Sequence, residues 1–483
     1  MKKSFYILII SLFYTFSAHA FIVLPDVITD NMVLQQKDET SFWGKAAPGK
    51  TITITPSWNN KSYTASIDAN GNWKLKIKTP AAGGPYKISL NDGELLVLKN
   101  VMVGEVWLCS GQSNMEMPLA GWGKIKDYER EIANAKYPNI RILKVKKTIN
   151  SQPQEDFKSN TMGWQECSPS TISDFSATAY FFARRLIQDK NIAIGLIDAT
   201  WGGTVIESWT SADAIGKVDA FTDTIKKFEA IPTSTKLTNP NKPTLLFNGM
   251  INPFLPVAIK GVIWYQGESN NSRAYQYREL FPLMINDWRT KFNRPNLPFL
   301  FVQLANFQAI NPQPADATWA ELREAQTMAL SLPNTGMAVA IDIGETGDIH
   351  PKNKQDVGKR LALLALKKVY KVDVVDEGPM YKSNKVENGK IIVNFRPSIA
   401  ALKTSDGKAI TGFAIAGEDK KFYWATAEIK GNSIVVSSKD VKNPVAVRYA
   451  WANNPINNLV NEAGLPASPF RTDDWPGITF NKK

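Results

Sequence analysis

Cysteine and histidine are the scarcest chemically versatile residues in this chain of 483 residues, with two of each. Two cysteines exclude a scaffold built on disulfides and a cysteine-rich zinc module. Two histidines exclude a metal site formed by several imidazoles. An apolar run of about 20 residues, the length needed to span a bilayer, is also missing from the sequence.

The first 20 residues predict a cleaved export signal. Lys2 and Lys3 precede an apolar run over residues 5–16, and Ala18-His19-Ala20 has the small-x-small pattern of a signal-peptidase site. We therefore expect an exported protein, either periplasmic or extracellular. His19 lies within the signal, so His350 is the only histidine of the expected mature chain.

The bulk composition is typical of a globular protein of two to four domains. Hydrophobic residues make up 43% of the chain and charged residues 21%, which excludes a disordered chain, a collagen-like repeat and a coiled coil. The formal net charge is +12, but the lysines are spread over residues 51–99 and 378–442 and form no stripe. We therefore expect no nucleic-acid partner. The oligomeric state is left open.

Two β-rich regions are predicted, a small sandwich over residues 21–100 and a second region over 373–483. In the first, alternating runs at 63–67 and 73–77 flank Asn70-Gly71, a strong signal for a hairpin turn. In the second, turn residues at 386–390 and 430–432 separate further extended runs.

Residues 101–372 predict an α/β sheet, because short apolar runs alternate with longer amphipathic stretches. The expected strands lie at 105–109, 192–197, 258–265, 298–303 and 336–341, and the expected helices at 173–188, 318–330 and 355–369. Several of these strands are apolar on both faces, as in a buried parallel sheet. Ligands bind such sheets beyond the carboxyl ends of the strands.

A serine follows the first of these strands at a glycine turn, Ser110-Gly111-Gln112-Ser113-Asn114-Met115. Such a turn can present the serine at the sheet edge, with its backbone N–H facing an oxyanion. The G-x-S-x-G elbow of α/β-hydrolases is absent, because Met115 occupies its last position. Ser113 is therefore a candidate nucleophile. A strand-ending turn in which Ser113 caps a helix is the alternative.

Polar groups follow three other expected strands. Gly202 and Gly203 can bring backbone N–H groups close to a carbonyl or an anion. Residues 266–271 combine amides, a carboxylate and a hydroxyl, and Asp348 and His350 share a glycine-containing loop. Each loop alone is as well explained by a turn or a structural polar cluster. Together the four loops supply the nucleophile, oxyanion donors, base and acid of a serine hydrolase.

Residues 104–115, 201–204, 264–270 and 348–351 resemble the SGNH (GDSL-type) hydrolases, and within them the sialate O-acetylesterase family of carbohydrate esterases. The resemblance covers nearly the whole expected mature chain. It implies a flavodoxin-like SGNH hydrolase domain over 101–372, flanked by the two β-rich regions. It also implies removal of O-acetyl groups from sugars without a metal or another cofactor.

By this resemblance Ser113 is the nucleophile, and His350 is the general base and then the acid that protonates the leaving sugar hydroxyl. The implied oxyanion hole draws on the N–H groups of Ser113 and of Gly202 or Gly203, and on the side-chain amide of Asn270 or Gln266.

The sequence departs from the family pattern at two positions. Many SGNH enzymes carry aspartate three residues before the histidine, where this chain has Gly347, and Asp348 lies two residues before His350. By the resemblance to acetylxylan esterases, which use a glutamate near the third stretch, Glu268 is the alternative orienting acid. Gln112 stands where the GDSL pattern has aspartate, as in the carbohydrate-esterase branch.

The prediction is thus an exported serine esterase that deacetylates sialic acid. An acetylxylan or other polysaccharide acetylesterase uses the same chemistry and is the first alternative. A non-catalytic glycan-binding protein is the second, and a glycosidase using Glu116, Glu207 and Glu268 is the third. The expected partner is an O-acetylated sugar or glycan.

Export permits a disulfide between Cys109 and Cys167, but a buried strand position for Cys109 favours free thiols.

Overall fold

The structure is a computed structural model that describes residues 21–161, 163–231, 235, 237–396 and 401–483. The expected export signal, residues 1–20, lies outside the described residues. Along the described part of the chain, no helix combines the length and the apolar character needed to cross a bilayer.

Seven strands form the N-terminal region, and their alternating apolar residues point into the core. In the third strand, for example, Ile52 and Ile54 are fully buried while their neighbours are exposed or half-buried. The strands are β1 (Val33–Gln35), β2 (Glu39–Lys45), β3 (Thr51–Pro56), β4 (Tyr63–Ser66), β5 (Asn72–Lys78), β6 (Gly83–Asn91) and β7 (Leu95–Gly111).

The predicted hairpin of this region is wrong, although its turn exists. Asp68 N–H donates to Asn72 O at 2.9 Å, and Gly71 has φ +80°. The two flanking strands nevertheless pair elsewhere, β4 with β3 and β5 with β2. Trp73 and Ile77 of β5 are buried, so the turn carries the chain from one sheet to another instead of closing a two-stranded ladder.

The central region alternates strands with helices, as expected for an α/β fold. All five predicted strands and all three predicted helices are confirmed; most ends are shifted by a few residues, but the first strand begins ten residues earlier than predicted, at Leu95. The elements are α1 (Ser113–Glu116), α2 (Tyr128–Ala133), β8 (Tyr137–Lys144), β9 (Gln165–Cys167), α3 (Ala177–Lys190), β10 (Ala193–Thr200), α4 (Ala212–Ile215), α5 (Asp219–Glu229), β11 (Gly261–Tyr265), α6 (Ala274–Lys291), β12 (Phe299–Gln303), α7 (Thr318–Met328), β13 (Thr335–Val339) and α8 (Lys354–Leu364).

Short helical turns lie between or extend these elements. The 3₁₀ turns are Ile206–Trp209, Asn252–Phe254, Glu268–Arg273 and Ala329–Ser331, and the π-helical turns are Phe247–Ile251 and Ala365–Val369.

The parallel strands lie in the order β13-β12-β11-β7-β10-β8, with β9 antiparallel on the β8 edge. Every residue of β10, β11 and β12 is buried, as expected for strands covered on both faces. Counted along the chain, the six parallel strands run 2-3-1-4-5-6. This is not the flavodoxin order 2-1-3-4-5, because the unpredicted strand β8 lies outside β10.

The long strand β7 joins the N-terminal region to the central region. Its first half pairs with β6 and its second half with β10 and β11, so eleven strands from the two regions form one mixed sheet, while β2 and β5 pair separately. The strand runs through the position predicted as a domain boundary, between residues 100 and 101.

The C-terminal region is again built from strands, which form three small antiparallel sheets, β14-β15-β20-β19, β16-β22 and β18-β17-β21-β23. Fully buried Arg323 of α7 donates to the carbonyls of Ala452 and Asn453 and so fastens this region to the central one. The strands are β14 (Met380–Glu387), β15 (Lys390–Arg396), β16 (Leu402–Thr404), β17 (Phe413–Ala416), β18 (Phe422–Trp424), β19 (Thr426–Lys430), β20 (Ser433–Ser437), β21 (Ala446–Tyr449), β22 (Leu459–Asn461) and β23 (Phe470–Arg471).

Both cysteines are free and buried, which confirms the prediction of two unpaired thiols. Burial raises the pKa of the Cys109 thiol well above its usual range and that of Cys167 to about 12. Because the thiolate is the reactive form, both groups are inert in the folded protein.

Candidate active site

Three of the motif loops leave the central sheet at the same level. Gly111 at the end of β7 is in register with Thr200 of β10 on one side and with Tyr265 of β11 on the other. Gly111 has φ +136°, and a Cβ at this position would lie 2.2 Å from Tyr265 O. Glycine is therefore required where β7 turns towards Ser113.

Ser113 begins the short helix α1 and is half-buried at the sheet edge. The helix-capping position belongs to Gln112, so the alternative in which Ser113 is the cap does not apply. The Gln112 side chain accepts hydrogen bonds from the N–H groups of Gly267 at 3.4 Å and Ser269 at 3.2 Å. The residue that replaces the aspartate of the GDSL pattern thus ties the serine turn to the third motif loop.

Gly202 lies directly against Ser113, because a Cβ built on Gly202 would be 3.2 Å from Ser113 Cβ. The Gly202 N–H donates to Glu116 Oε2 at 2.6 Å, and Glu116 Oε1 pairs with Lys147 at 2.6 Å. Gly203 has φ +73° and faces open space. Gly202 is therefore at the serine, whereas no contact of Gly203 with Ser113 is seen among the described residues. The contact of Glu116 with Gly202 was not predicted.

Gln266 and Asn270 are brought together, but inside the protein. The Gln266 amide donates to Thr204 O at 3.1 Å and to Asn270 Oδ1 at 2.7 Å, and its oxygen accepts from Tyr277 Oη at 2.8 Å. The Asn270 amide donates to Glu207 Oε2 at 2.9 Å. Both amides are buried and engaged, so a third oxyanion donor from either residue stays a prediction.

His350 lies in the loop after β13 and contacts Asp348 twice. Its Nδ1 is 3.4 Å from Asp348 Oδ1, and its backbone N–H donates to the same oxygen at 2.8 Å. The Trp122 ring packs nearly perpendicular to the imidazole, with 5.2 Å between ring centres. The aspartate thus reaches the histidine across two residues, because the loop turns back on itself.

The surroundings of His350 favour the neutral imidazole. Burial lowers the pKa of His350, the positive charge of Lys354 lowers it further, and the carboxylates of Asp348 and Glu116 act in the opposite direction. The resulting pKa lies below the usual 6.5, so the ring is unprotonated and can accept a proton at neutral pH.

Glu268, the alternative orienting acid, is buried beside Asn114 instead. Its Oε1 accepts from Asn114 Nδ2 at 2.5 Å, while its Oε2 has no hydrogen-bond partner among the described residues. Burial raises the pKa of Glu268, and the Asn114 hydrogen bond opposes that rise. Of the two carboxylates, the structure therefore sets Asp348 against the imidazole and Glu268 against the residue after Ser113.

Asp348→Asn is expected to lower kcat by on the order of 10²-fold, less than the roughly 10⁴-fold seen for a buried triad aspartate, because the Asp348 side chain is 45% exposed. Since Asp348 raises the pKa of His350, its loss lowers that pKa. The acid limb of kcat/KM should then move to lower pH, as measured on 4-nitrophenyl acetate. An unchanged kcat and an unmoved limb would show that Asp348 has no part in orienting the base.

Sequence reasoning missed three residues of this site. Asn114 and Lys354 are buried between the serine and histidine loops, and Lys147 pairs with Glu116 and lies 5.7 Å over the Trp201 ring. The position of Lys354 four residues after His350, at the start of a helix, was the one available signal.

Across the described residues, no cluster of three or more His, Cys, Asp and Glu is arranged to hold a metal.

Polar groups gathered beyond the carboxyl ends of a parallel sheet are typical of the ligand-binding site of an α/β protein. Residues 103–367 match the family of carbohydrate esterases described as sialic acid-specific acetylesterases. Sialate O-acetylesterases from Pongo abelii and Homo sapiens are each 31% identical over 94% of this chain and 94% of their own. A carbohydrate acetylesterase from Xanthomonas citri has a solved structure with 41% identity and a TM-score of 0.86, over 94% of this chain and 100% of its own.

The chain belongs to the sialic acid-specific acetylesterase family of carbohydrate esterases, and it is an esterase. The predicted resemblance is confirmed. Membership of this family argues against the non-catalytic glycan-binding protein and against the glycosidase.

Proposed function

We propose that this protein is an exported carbohydrate O-acetylesterase that hydrolyses acetyl esters on sialic acid with Ser113 as the nucleophile. One arrangement carries the proposal: the Ser113 turn is in contact with Gly202 and with the loop of the His350–Asp348 pair at one edge of the sheet. The family membership and the names of the mammalian relatives support the choice of substrate.

In the proposed first step, Ser113 Oγ attacks the acetyl carbonyl carbon while His350 takes the hydroxyl proton. The tetrahedral intermediate carries its negative charge on the former carbonyl oxygen, where the N–H groups of Ser113 and of Gly202 or Gly203 can donate. Use of the Gly202 N–H requires Glu116 Oε2 to leave it.

The intermediate then collapses, the C–O bond to the sugar breaks, and protonated His350 gives its proton to the leaving sugar hydroxyl. The acetyl group stays on Ser113 as an ester. A water molecule, deprotonated by His350, attacks that ester and releases acetate and free Ser113. Asp348 stabilises the imidazolium formed in both steps.

The fold of the central region supports an SGNH assignment. When β8 is left out, the other five parallel strands follow the flavodoxin order 2-1-3-4-5. Ser113 follows the first of these strands, at the position where the strand order reverses. We therefore propose a flavodoxin-like SGNH domain with one added edge strand.

An acetylxylan or other polysaccharide acetylesterase is the second candidate. Its support is the carbohydrate acetylesterase from Xanthomonas citri, which is 41% identical, against 31% for the mammalian sialate O-acetylesterases. Both candidates use the same residues, so only the sugar distinguishes them.

The test is acetate release from O-acetylated sialic acid, acetylated xylan and 4-nitrophenyl acetate, each with and without EDTA. We expect the highest kcat/KM on O-acetylated sialic acid and no effect of EDTA. Faster acetate release from acetylated xylan would identify xylan, instead of sialic acid, as the preferred substrate. Loss of activity in EDTA would contradict the metal-free mechanism. Export is tested by fractionating cells and sequencing the N-terminus, which should begin at Phe21; an intact Met1 in the cytosol would contradict it.

A further inference from the structure

A fully buried lysine lies behind the histidine loop. Lys354 opens helix α8, and its Nζ donates to Asn114 Oδ1 at 2.6 Å and to Pro351 O at 2.8 Å. The ammonium also lies 5.6 Å from the ring centre of Tyr265. A buried ammonium is costly unless its donors are used, and the mechanism proposed above gives this residue no role.

Asn114, the residue after the proposed nucleophile, makes the complementary contacts. Its Nδ2 donates to Glu268 Oε1 at 2.5 Å and to Ile349 O at 3.0 Å. The chemistry of the partners fixes the amide orientation, because the Lys354 ammonium only donates and must face the amide oxygen, while an ionised carboxylate only accepts and must face the nitrogen.

Two of these hydrogen bonds bracket His350 in the chain. Ile349 O, on one side, accepts from Asn114, and Pro351 O, on the other side, accepts from Lys354. Because Lys354 is itself bonded to Asn114, both sides of the histidine are connected to one side chain. That side chain belongs to the residue that follows Ser113.

We propose that Asn114 and Lys354 form a clamp that fixes the position of the His350 imidazole relative to Ser113. The inference rests on the proposed function, since it requires His350 to act as the base for Ser113. Both clamp residues are positioning residues, because they act through the backbone on either side of the histidine.

The clamp residue Lys354 also affects the pKa of His350. Burial lowers the pKa of Lys354 to about 7, and the carboxylates that face it, Glu268, Asp348 and Glu345, oppose this fall. Lys354 in turn lowers the pKa of His350, whereas Asp348 and the α1 residue Glu116 raise it. Removal of the Lys354 charge should therefore raise the pKa of His350.

Lys354→Met is the first test, because methionine fills the space without a charge or a donor. We expect kcat to fall by about 100-fold, the cost of a misplacement of roughly 1 Å, while KM stays near the wild-type value. The acid limb of kcat/KM on 4-nitrophenyl acetate should move to higher pH, opposite to the shift expected for Asp348→Asn. A residue that only fills space would not move this limb.

A second variant exchanges the amide of residue 114 and the carboxylate of residue 268 without changing the net charge of the site. In Asn114→Asp with Glu268→Gln, the glutamine amide can donate to the aspartate, and Lys354 keeps its acceptor. Only Ile349 O loses its donor. We expect a melting temperature close to that of the wild type and a lower kcat, smaller in effect than for Lys354→Met. This variant tests the clamp even where Lys354→Met fails to fold.

Lys359→Met is the matched control, since it removes an exposed lysine from the same helix and should leave kcat and the acid limb unchanged. Wild-type kcat in both test variants, an unmoved limb in Lys354→Met, or a loss of kcat that only follows the loss of folded protein would overturn the clamp. If Ser113→Ala also kept its activity, the proposed function would fail as well; if only the clamp variants behave like the wild type, the clamp alone fails.

Discussion

Ser113→Ala is expected to reduce kcat for acetate release by at least about 10³-fold and by up to ~10⁶-fold, the loss known for nucleophile removal in a serine hydrolase. Alanine removes the only atom that can form the acetyl-enzyme while the backbone N–H of residue 113 remains. The Ser113 side chain contributes no cap to α1, so the fold should be unaffected. The measurement is acetate release and 4-nitrophenol release from the same preparations, with thermal melting to verify folding.

Ser269→Ala is the appropriate control for this variant. Ser269 is the serine of the third motif loop, and its backbone N–H donates to Gln112. That contact survives the substitution, so activity should stay at the wild-type level. Full activity in Ser113→Ala together with a loss in Ser269→Ala would transfer the nucleophile to the third loop and refute the proposed mechanism.

The central strands could be predicted because the residues of each strand indicate by themselves that the strand is buried. A strand covered on both faces is an uninterrupted apolar run, as in β11 and β12. β8 was missed because its sequence, Tyr-Pro-Asn-Ile-Arg-Ile-Leu-Lys, mixes a proline and charged residues with its apolar positions. α6 was missed because it carries Pro282 inside the helix and has polar residues on several faces.

Pairing between strands was less predictable than the strands themselves. The Asn70-Gly71 turn fixes the local direction of the chain, but turn chemistry does not decide which strands hydrogen-bond. β5 pairs with β2, about 30 residues earlier in the chain, because its buried residues Trp73 and Ile77 belong to the layer that β2 forms. Contacts at this separation leave no signal in a short window of sequence.

The same distinction applies to the site. Ser113, Gly202 and His350 could be named because each follows a recognisable strand at the carboxyl edge. The contacts among Asn114, Glu268 and Lys354 could not, because the three side chains are separated by more than 80 residues in the chain and meet only through the sheet order. The engagement of the Gly202 N–H by Glu116 likewise depends on side-chain geometry at the end of α1.

His350→Ala is expected to lower kcat by on the order of 10⁶-fold, close to the effect of removing the nucleophile, because serine is a weak nucleophile without its base. In the wild type, kcat/KM should fall as pH drops through the pKa of His350. That pKa lies below 6.5 because burial and Lys354 disfavour the imidazolium. The pH profile of the variant should lack this limb.

The double variant Ser113→Ala with His350→Ala decides whether the two residues act as one unit. If His350 serves only to move the proton of Ser113 and of the water that follows, its removal costs nothing more once Ser113 is gone. The double variant should then retain the same residual rate as Ser113→Ala. Losses that multiply would mean that His350 acts independently of Ser113, for example on a water molecule that attacks the ester directly. In that case the ester would be hydrolysed in one step without an acetyl-enzyme. The contact between the serine turn and the histidine loop would then have no role in catalysis.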